Sequence, residues 1–211
     1  MPADFPTLDH AFVALVDGLF ADAAGRSGPH LRCGPGCTQC CVGVFAMGPA
    51  DALRLRHGLV MLAQTDPARA ARVRARAKDS WARMSPAFPG DRITGRLAVD
   101  IDGTPDEAFE EYANDEPCPA LDSDHGTCDL YASRPETCRE FGPPIRLEEG
   151  FGLCELCFQQ ASADEIAHAA METPPSPMQA ALDEAALQAG EPAGATVIAY
   201  VLQSTTLSFP F

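Results

Sequence analysis

Nine cysteines are the residues in this chain best suited to chemistry, and they are not scattered. Cys33-x3-Cys37-x2-Cys40-Cys41 opens the series, with Gly34, Pro35 and Gly36 inside the first gap. Cys118, Cys128 and Cys138 follow, with nine residues between each pair, and Cys154-x2-Cys157 closes it. A bound cation displaces the thiol proton, so thiols that converge in reducing surroundings favour a metal over free sulfur. Gaps of two or three residues let two sulfurs face one ion. The glycines permit tight loops whose backbone N–H groups can point at sulfur. Four thiolates around one ion make a structural zinc site, and four around an iron–sulfur cube are the other common use. The candidate metal ligands are therefore Cys33, Cys37, Cys40, Cys41, Cys118, Cys128, Cys138, Cys154 and Cys157. Cys40 and Cys41 are neighbours, and adjacent residues chelate one small ion only with strain. Either they serve different metals or one is a packed thiol. His125, between Cys118 and Cys128, is the one histidine near ligand spacing.

The later cysteines sit in recognisable surroundings: Cys118-Pro119-Ala120-Leu121, Cys128-Asp129-Leu130-Tyr131, Arg134-Pro135 and Cys138-Arg139. With the Cys33-to-Cys41 opening, this pattern resembles the YkgJ-type cysteine-cluster proteins over roughly residues 33–141, about half of the chain. The resemblance implies chelation of zinc or iron, with an iron–sulfur cluster as one form the iron could take. The pattern is also similar to flagellin lysine N-methylases, which implies a second reading, an iron–sulfur enzyme of redox or methyl-transfer type. Cys154 and Cys157 lie just past the motif, where a downstream cysteine is common in such proteins. Arg134 and Arg139 either offset the charge of a polythiolate site or pair with surface carboxylates. Tyr131 reads as a core residue.

Other chemistries find little support. Cys33-x3-Cys37-x2-Cys40 is also a radical-SAM spacing, but the alternating strand–helix units of a partial barrel are missing. No Gly-x-Ser-x-Gly elbow, Walker-type loop, dinucleotide fingerprint or His-Glu-x-x-His is present, and no catalytic residue can be named. The chain carries 15 basic and 30 acidic side chains, net −15. Residues 1–96 hold 12 basic and 8 acidic groups, residues 97–211 only 3 basic and 22 acidic. That balance argues against nucleic-acid binding, which runs on Lys and Arg neutralising phosphates. The N-terminus lacks the basic and apolar regions of a secretory signal, and Ala195–Leu202 is too short to span a bilayer. The expected compartment is the cytoplasm, where thiols stay reduced. An odd count would also leave a full disulfide framework one thiol over.

The elements that must position the cysteines are mostly helical. Phe12, Leu15, Val16, Leu19 and Phe20 recur at helical spacing within 8–24, ending near Gly25. Pro49 opens a second helix, with Gly58 as a weak point, and Asp66-Pro67 starts a third that runs to about Met84. The third is strongly basic and is read as a solvated face answering the acidic half of the chain. Arg96–Ile101 suggests a short strand. Capping-box spacings recur at Thr104–Glu107, Ser133–Glu136, Ser162–Glu165 and Ser176–Gln179. Val197–Leu202 fits a buried strand or a helix equally well. The expected fold is α+β and mostly α-helical, a cysteine-rich metal core with one or two short β elements packed by helices. It would form a single domain over 1–211, with the core at 33–157 and flanking helical segments at 8–24 and 162–211.

Overall fold

Asp4 starts the first helix by accepting a hydrogen bond from the amide of Thr7 at 3.1 Å, with Pro6 preset in the first turn. A computed structural model describes residues 4–99, 107–147 and 150–204 of the chain. This helix, α1 (Phe5–Ser27), runs past Gly25 and stops at Gly28, whose φ of +52° lies outside the helical range. Its buried stripe of Phe12, Val16 and Ala23 meets Ala50 and Leu53 of α2 (Pro49–Thr65). One residue, Asp66, ends α2 and caps α3 (Pro67–Met84), accepting the amide of Arg69 at 2.9 Å.

The core between α2 and α3 is closed by a helix near the C-terminus. Val197–Leu202 resolves as α7 (Ile198–Gln203), whose Val201 and Leu202 pack with Leu55, Leu59, Val73 and Ala77. Burying each large apolar side chain here contributes about 1.5–3 kcal/mol. The small Ala70 and Ala77 on α3 let its neighbours approach, so few large residues are needed on that helix.

Three short helices complete the frame. They are α4 (Glu136–Glu140), α5 (Ala163–Ala169) and α6 (Ser176–Gln188). All three pack against α1, and α6 also meets α2. The segments expected to flank the core are thus part of the packing around it. Among the described residues there are three two-stranded antiparallel pairs. They are β1 (Gly90–Asp91) with β2 (Arg96–Leu97), β3 (Leu121–Asp122) with β4 (Thr127–Cys128), and β5 (Ile145–Leu147) with β6 (Gly150–Gly152). The mostly helical α+β class is as expected.

Several local expectations change. The strand at Arg96 covers only Arg96 and Leu97, and the rest of that expected stretch beyond Val99 lies outside the described residues. Ser162 and Glu165 form a reciprocal capping box. Ser133 and Ser176 do not cap, because Pro135 and Pro175 occupy the N-cap positions. Thr104–Asp106 lie outside the described residues, and Glu107–Phe109 is a single 3₁₀ turn. Gly58 has a packing reason: a Cβ there would sit 2.3 Å from Ser133 Oγ. That close approach offsets the roughly 1 kcal/mol a helical glycine costs against alanine.

The basic α3 does answer the acidic half of the chain. Arg69 and Arg76 both grip Asp129, each at 2.5 Å, and Arg83 pairs with Glu116 at 2.6 Å. Asp129 is buried, so this clasp joins the helical frame to the segment that carries Cys128. Among the described residues no helix is long and apolar enough to cross a membrane.

Candidate metal centre

The opening cysteines lie on the loop between α1 and α2, where the chain turns repeatedly. The amide of Cys37 donates to Gly34 O at 3.0 Å, and Gly36 takes a φ of +87° that a residue with a Cβ adopts only with strain. Cys40 and Cys41 then fall in a one-turn 3₁₀ helix, Gln39–Cys41. Beyond it the chain runs antiparallel to 116–118, with Cys118 N donating to Cys41 O at 2.8 Å and Gly43 N to Glu116 O at 3.0 Å. This pairing brings Cys118 to the opening loop. Cys128 follows through the β3–β4 hairpin, where it is the register partner of Leu121.

Cys138 comes from α4. The expected cap, Ser133, is replaced by a residue that no local pattern reveals: buried Asp51 of α2 accepts the Glu136 amide at 3.1 Å. Arg139 then ties this short helix to α1. It donates to both carboxylate oxygens of Asp17, at 2.8 and 2.9 Å, and to the carbonyls of Ala132 and Arg134.

Cys154 and Cys157 share a turn, with the Cys157 amide donating to Cys154 O at 2.9 Å. That turn lies against the start of the opening loop. The Arg32 amide donates to Cys157 Sγ at 3.3 Å, and the Phe158 amide donates to His30 O at 3.1 Å. Gln39 reaches Glu155 at 3.3 Å, and the rings of His30 and Phe158 stack at 5.7 Å.

All nine cysteines are free thiols. Cys157 is buried and the other eight are half-buried. Their mutual electrostatics records which are neighbours. Cys33 is pushed up to about 11 by burial first, and then by Cys37, Cys40, Cys157 and Cys154. Burial pushes Cys118 up to about 12, with Cys128 and Cys40 adding to the effect. Cys138 is raised by burial and by Cys118, Cys40 and Cys128. The interaction between the adjacent Cys40 and Cys41 side chains is the largest cause for both, raising Cys41 and lowering Cys40 to about 6. Arg134 lowers Cys40 further and also acts on Cys128.

Both arginines reach the Asp17 carboxylate, Arg134 at 3.8 Å and Arg139 at 2.8 Å, and Arg134 also acts on the thiols of Cys40 and Cys128. Tyr131 is not core: it is 65 % exposed, and the Arg134 guanidinium sits 3.9 Å above its ring centre. His125 is engaged with Asp122 at 2.9 Å on the surface. Asp129 and Asp51 are the positioning residues that sequence reasoning missed. Asp129 had one signal, its place beside Cys128 opposite a basic helix in an otherwise acidic half.

Among the described residues, no three Cys, His, Asp or Glu side chains already form a coordination shell. To hold an ion, the thiols would have to close further than they do here. As a donor set they fit zinc or iron, since soft thiolates suit both and a cation would relieve their mutual repulsion.

Reduced thiols gathered on short loops and braced by helices are the donor set of a thiol-rich chelating domain. The family model "CxxCxxCC: Putative zinc- or iron-chelating domain" matches residues 32–157, more than half of the chain, and the chain belongs to that family. No curated protein and no solved structure matches it.

Proposed function

We propose that this protein binds zinc or iron through its cysteine thiolates, and that the bound metal fixes the loops 31–42 and 153–158 to the helical frame. The observation that carries this reading is that nine unpaired thiols lie on five separate stretches of chain that the fold brings together, with Cys118 N bonded to Cys41 O and Phe158 N to His30 O. When bound, the metal would supply charge neutralisation and cross-linking. The chain's own residues hold the thiols near one another, keep Arg134 beside Cys40 and Cys128, and anchor α4 through Asp51 and Arg139. The packing of α1, α6 and α7 against elements inside 33–157 supports one domain rather than a core with appendages.

The alternative is an iron–sulfur protein of redox or methyl-transfer type. The described residues hold no parallel sheet, so a radical-SAM barrel is not among them. Such a role would need a different scaffold for the same thiols.

Anaerobic purification followed by metal analysis and an absorption spectrum tests both readings. Colourless protein with bound zinc and no acid-labile sulfide supports a structural chelating module. Brown protein with several irons and acid-labile sulfide supports the iron–sulfur reading. Cys37→Ala is expected to lose metal and melt at lower temperature. Unchanged metal content and melting temperature in that variant would overturn the proposal.

A further inference from the structure

Ser80 is out of character with the helix face it belongs to. The buried residues of α3 are Ala70, Val73, Ala77, Ser80 and Met84, so one hydroxyl is set among apolar side chains. Ser80 is 1 % exposed, and its Oγ makes no hydrogen bond to another protein group. A serine in a helix interior can turn back onto the carbonyl four residues earlier, here that of Arg76, and this one does not. A buried hydroxyl left unpaired costs more than an ordinary hydrogen bond gains, so the position calls for a partner.

Ser80 lines a cavity of about 20 Å³ where α3, the start of α7 and the segments 43–45 and 116–119 meet. We propose that this cavity is the binding site of one water molecule, shared between Ser80 Oγ and the backbone of Val44 and Phe45. The site joins the helical frame to the segment that carries Cys118 without involving a metal, so it stands independently of the function proposed above.

Size selects the ligand. One water needs roughly 10–15 Å³ of such space and two to four polar partners, and an organic ligand needs far more room. The partners follow from the course of the chain. Pairing of 41–43 with 116–118 ends at the bond from Gly43 N to Glu116 O, at 3.0 Å, and backbone pairing resumes only at Met47 with Thr196. Between these two points lie Val44 and Phe45, both on the cavity wall. Among the described residues, their backbone groups bond to no other protein group. An orphan hydroxyl and a stretch of unpaired backbone thus face one water-sized space.

The rest of the wall leaves the water to those groups. It is mostly apolar, with Ile198 and Ala199 on the α7 side, and its one charged residue, Glu116, is engaged by Arg83 at 2.6 Å. A water held on three sides satisfies groups that side-chain packing cannot reach, and it fills a gap that would otherwise forfeit contacts between α3 and the chain at 43–45. It also accounts for a serine at position 80, where alanine would suit the apolar face equally well.

The test combines a high-resolution crystal structure of the reduced full-length chain with thermal unfolding of Ser80→Ala. The expected density is one water within hydrogen-bond distance of Ser80 Oγ and of a backbone group of Val44 or Phe45. Ser80→Ala is expected to melt lower by about 2–4 °C, because the water loses a partner. A dry cavity predicts the opposite sign: removing an unpaired buried hydroxyl relieves a cost, and the variant melts higher. Absence of the water, or a melting temperature equal to or above that of the unaltered chain, overturns the proposal. Should Ser80→Ala fail to fold, the density in the unaltered chain decides alone: a water on Ser80 Oγ supports the site, and none overturns it.

Discussion

The helical frame and the cysteine loops are built on opposite principles. In the frame, apolar side chains such as Phe12, Val16, Leu53, Leu55, Val73 and Leu202 are almost wholly buried, and helix starts are capped by Asp4, Asp66 and Ser162. In the loops, eight of nine cysteines are half-buried, and Val42, Leu153 and Leu156 beside them are exposed. Backbone order there comes from one-turn helices, two-residue strands and isolated hydrogen bonds. The frame can hold its shape from hydrophobic burial alone, whereas the loops bury too little to offset their ordering entropy. On the proposed reading, the metal would stabilise the part of the chain that packing leaves weak.

The largest expected effect comes from stripping the metal. Structural zinc in small thiol-rich domains contributes on the order of 10 kcal/mol of binding free energy. That loss should appear in the loops. Far-UV circular dichroism should retain most of its helical signal after anaerobic chelation, while limited proteolysis at 32–42 and 152–158 accelerates. Collapse of the helical signal together with metal loss would show that frame and loops are one unit.

Asp129→Ala should come next, because Asp129 is the joint between the two regions. It is buried, and its loss leaves Arg69 and Arg76, each about a third exposed, without their carboxylate. Breaking a buried pair costs about 3–5 kcal/mol, and the exposure of the arginines lowers the expectation to about 2–3 kcal/mol. Denaturant unfolding should report that loss, and metal affinity at Cys128 should fall with it. A change of only a few tenths of a kcal/mol would show that the clasp behaves as a surface pair.

Ser162→Ala should have the smallest effect, about 1 kcal/mol for a lost capping box. It is expected to be equal with and without metal, because the box is a local contact between Ser162 and Glu165. A penalty seen only in the loaded protein would place α5 with the loops instead.

Reading the fold from sequence succeeded where the signal is local. The starts of α2 and α3 follow from Pro49 and from Asp66-Pro67, and the Ser162 box from its own two side chains. It failed where a distant residue intervenes. Ser133 has the spacing of a cap, yet Pro135 holds that position and Asp51, 85 residues away, takes the amide of Glu136. Val197–Leu202 is helical because its apolar residues complete a helix–helix core, which periodicity over six residues cannot reveal.

The site divides the same way. The sequence by itself determined the chemistry, since thiol identity and short gaps are covalent facts of the chain and favour a soft-metal donor set wherever the chain folds. It also determined the family, through the spacing of residues 32–157. Only the tertiary structure decided which thiols influence one another: Cys138 feels Cys118 and Cys128, and Cys33 feels Cys154. It likewise decided that Arg134 acts on Cys40 and Cys128 while also reaching Asp17. The physical reason is that a ligand set is a relation in space between distant loops. That relation is fixed by how α1, α3 and α4 pack together and by buried carboxylates such as Asp51, whose partner lies 85 residues away along the chain.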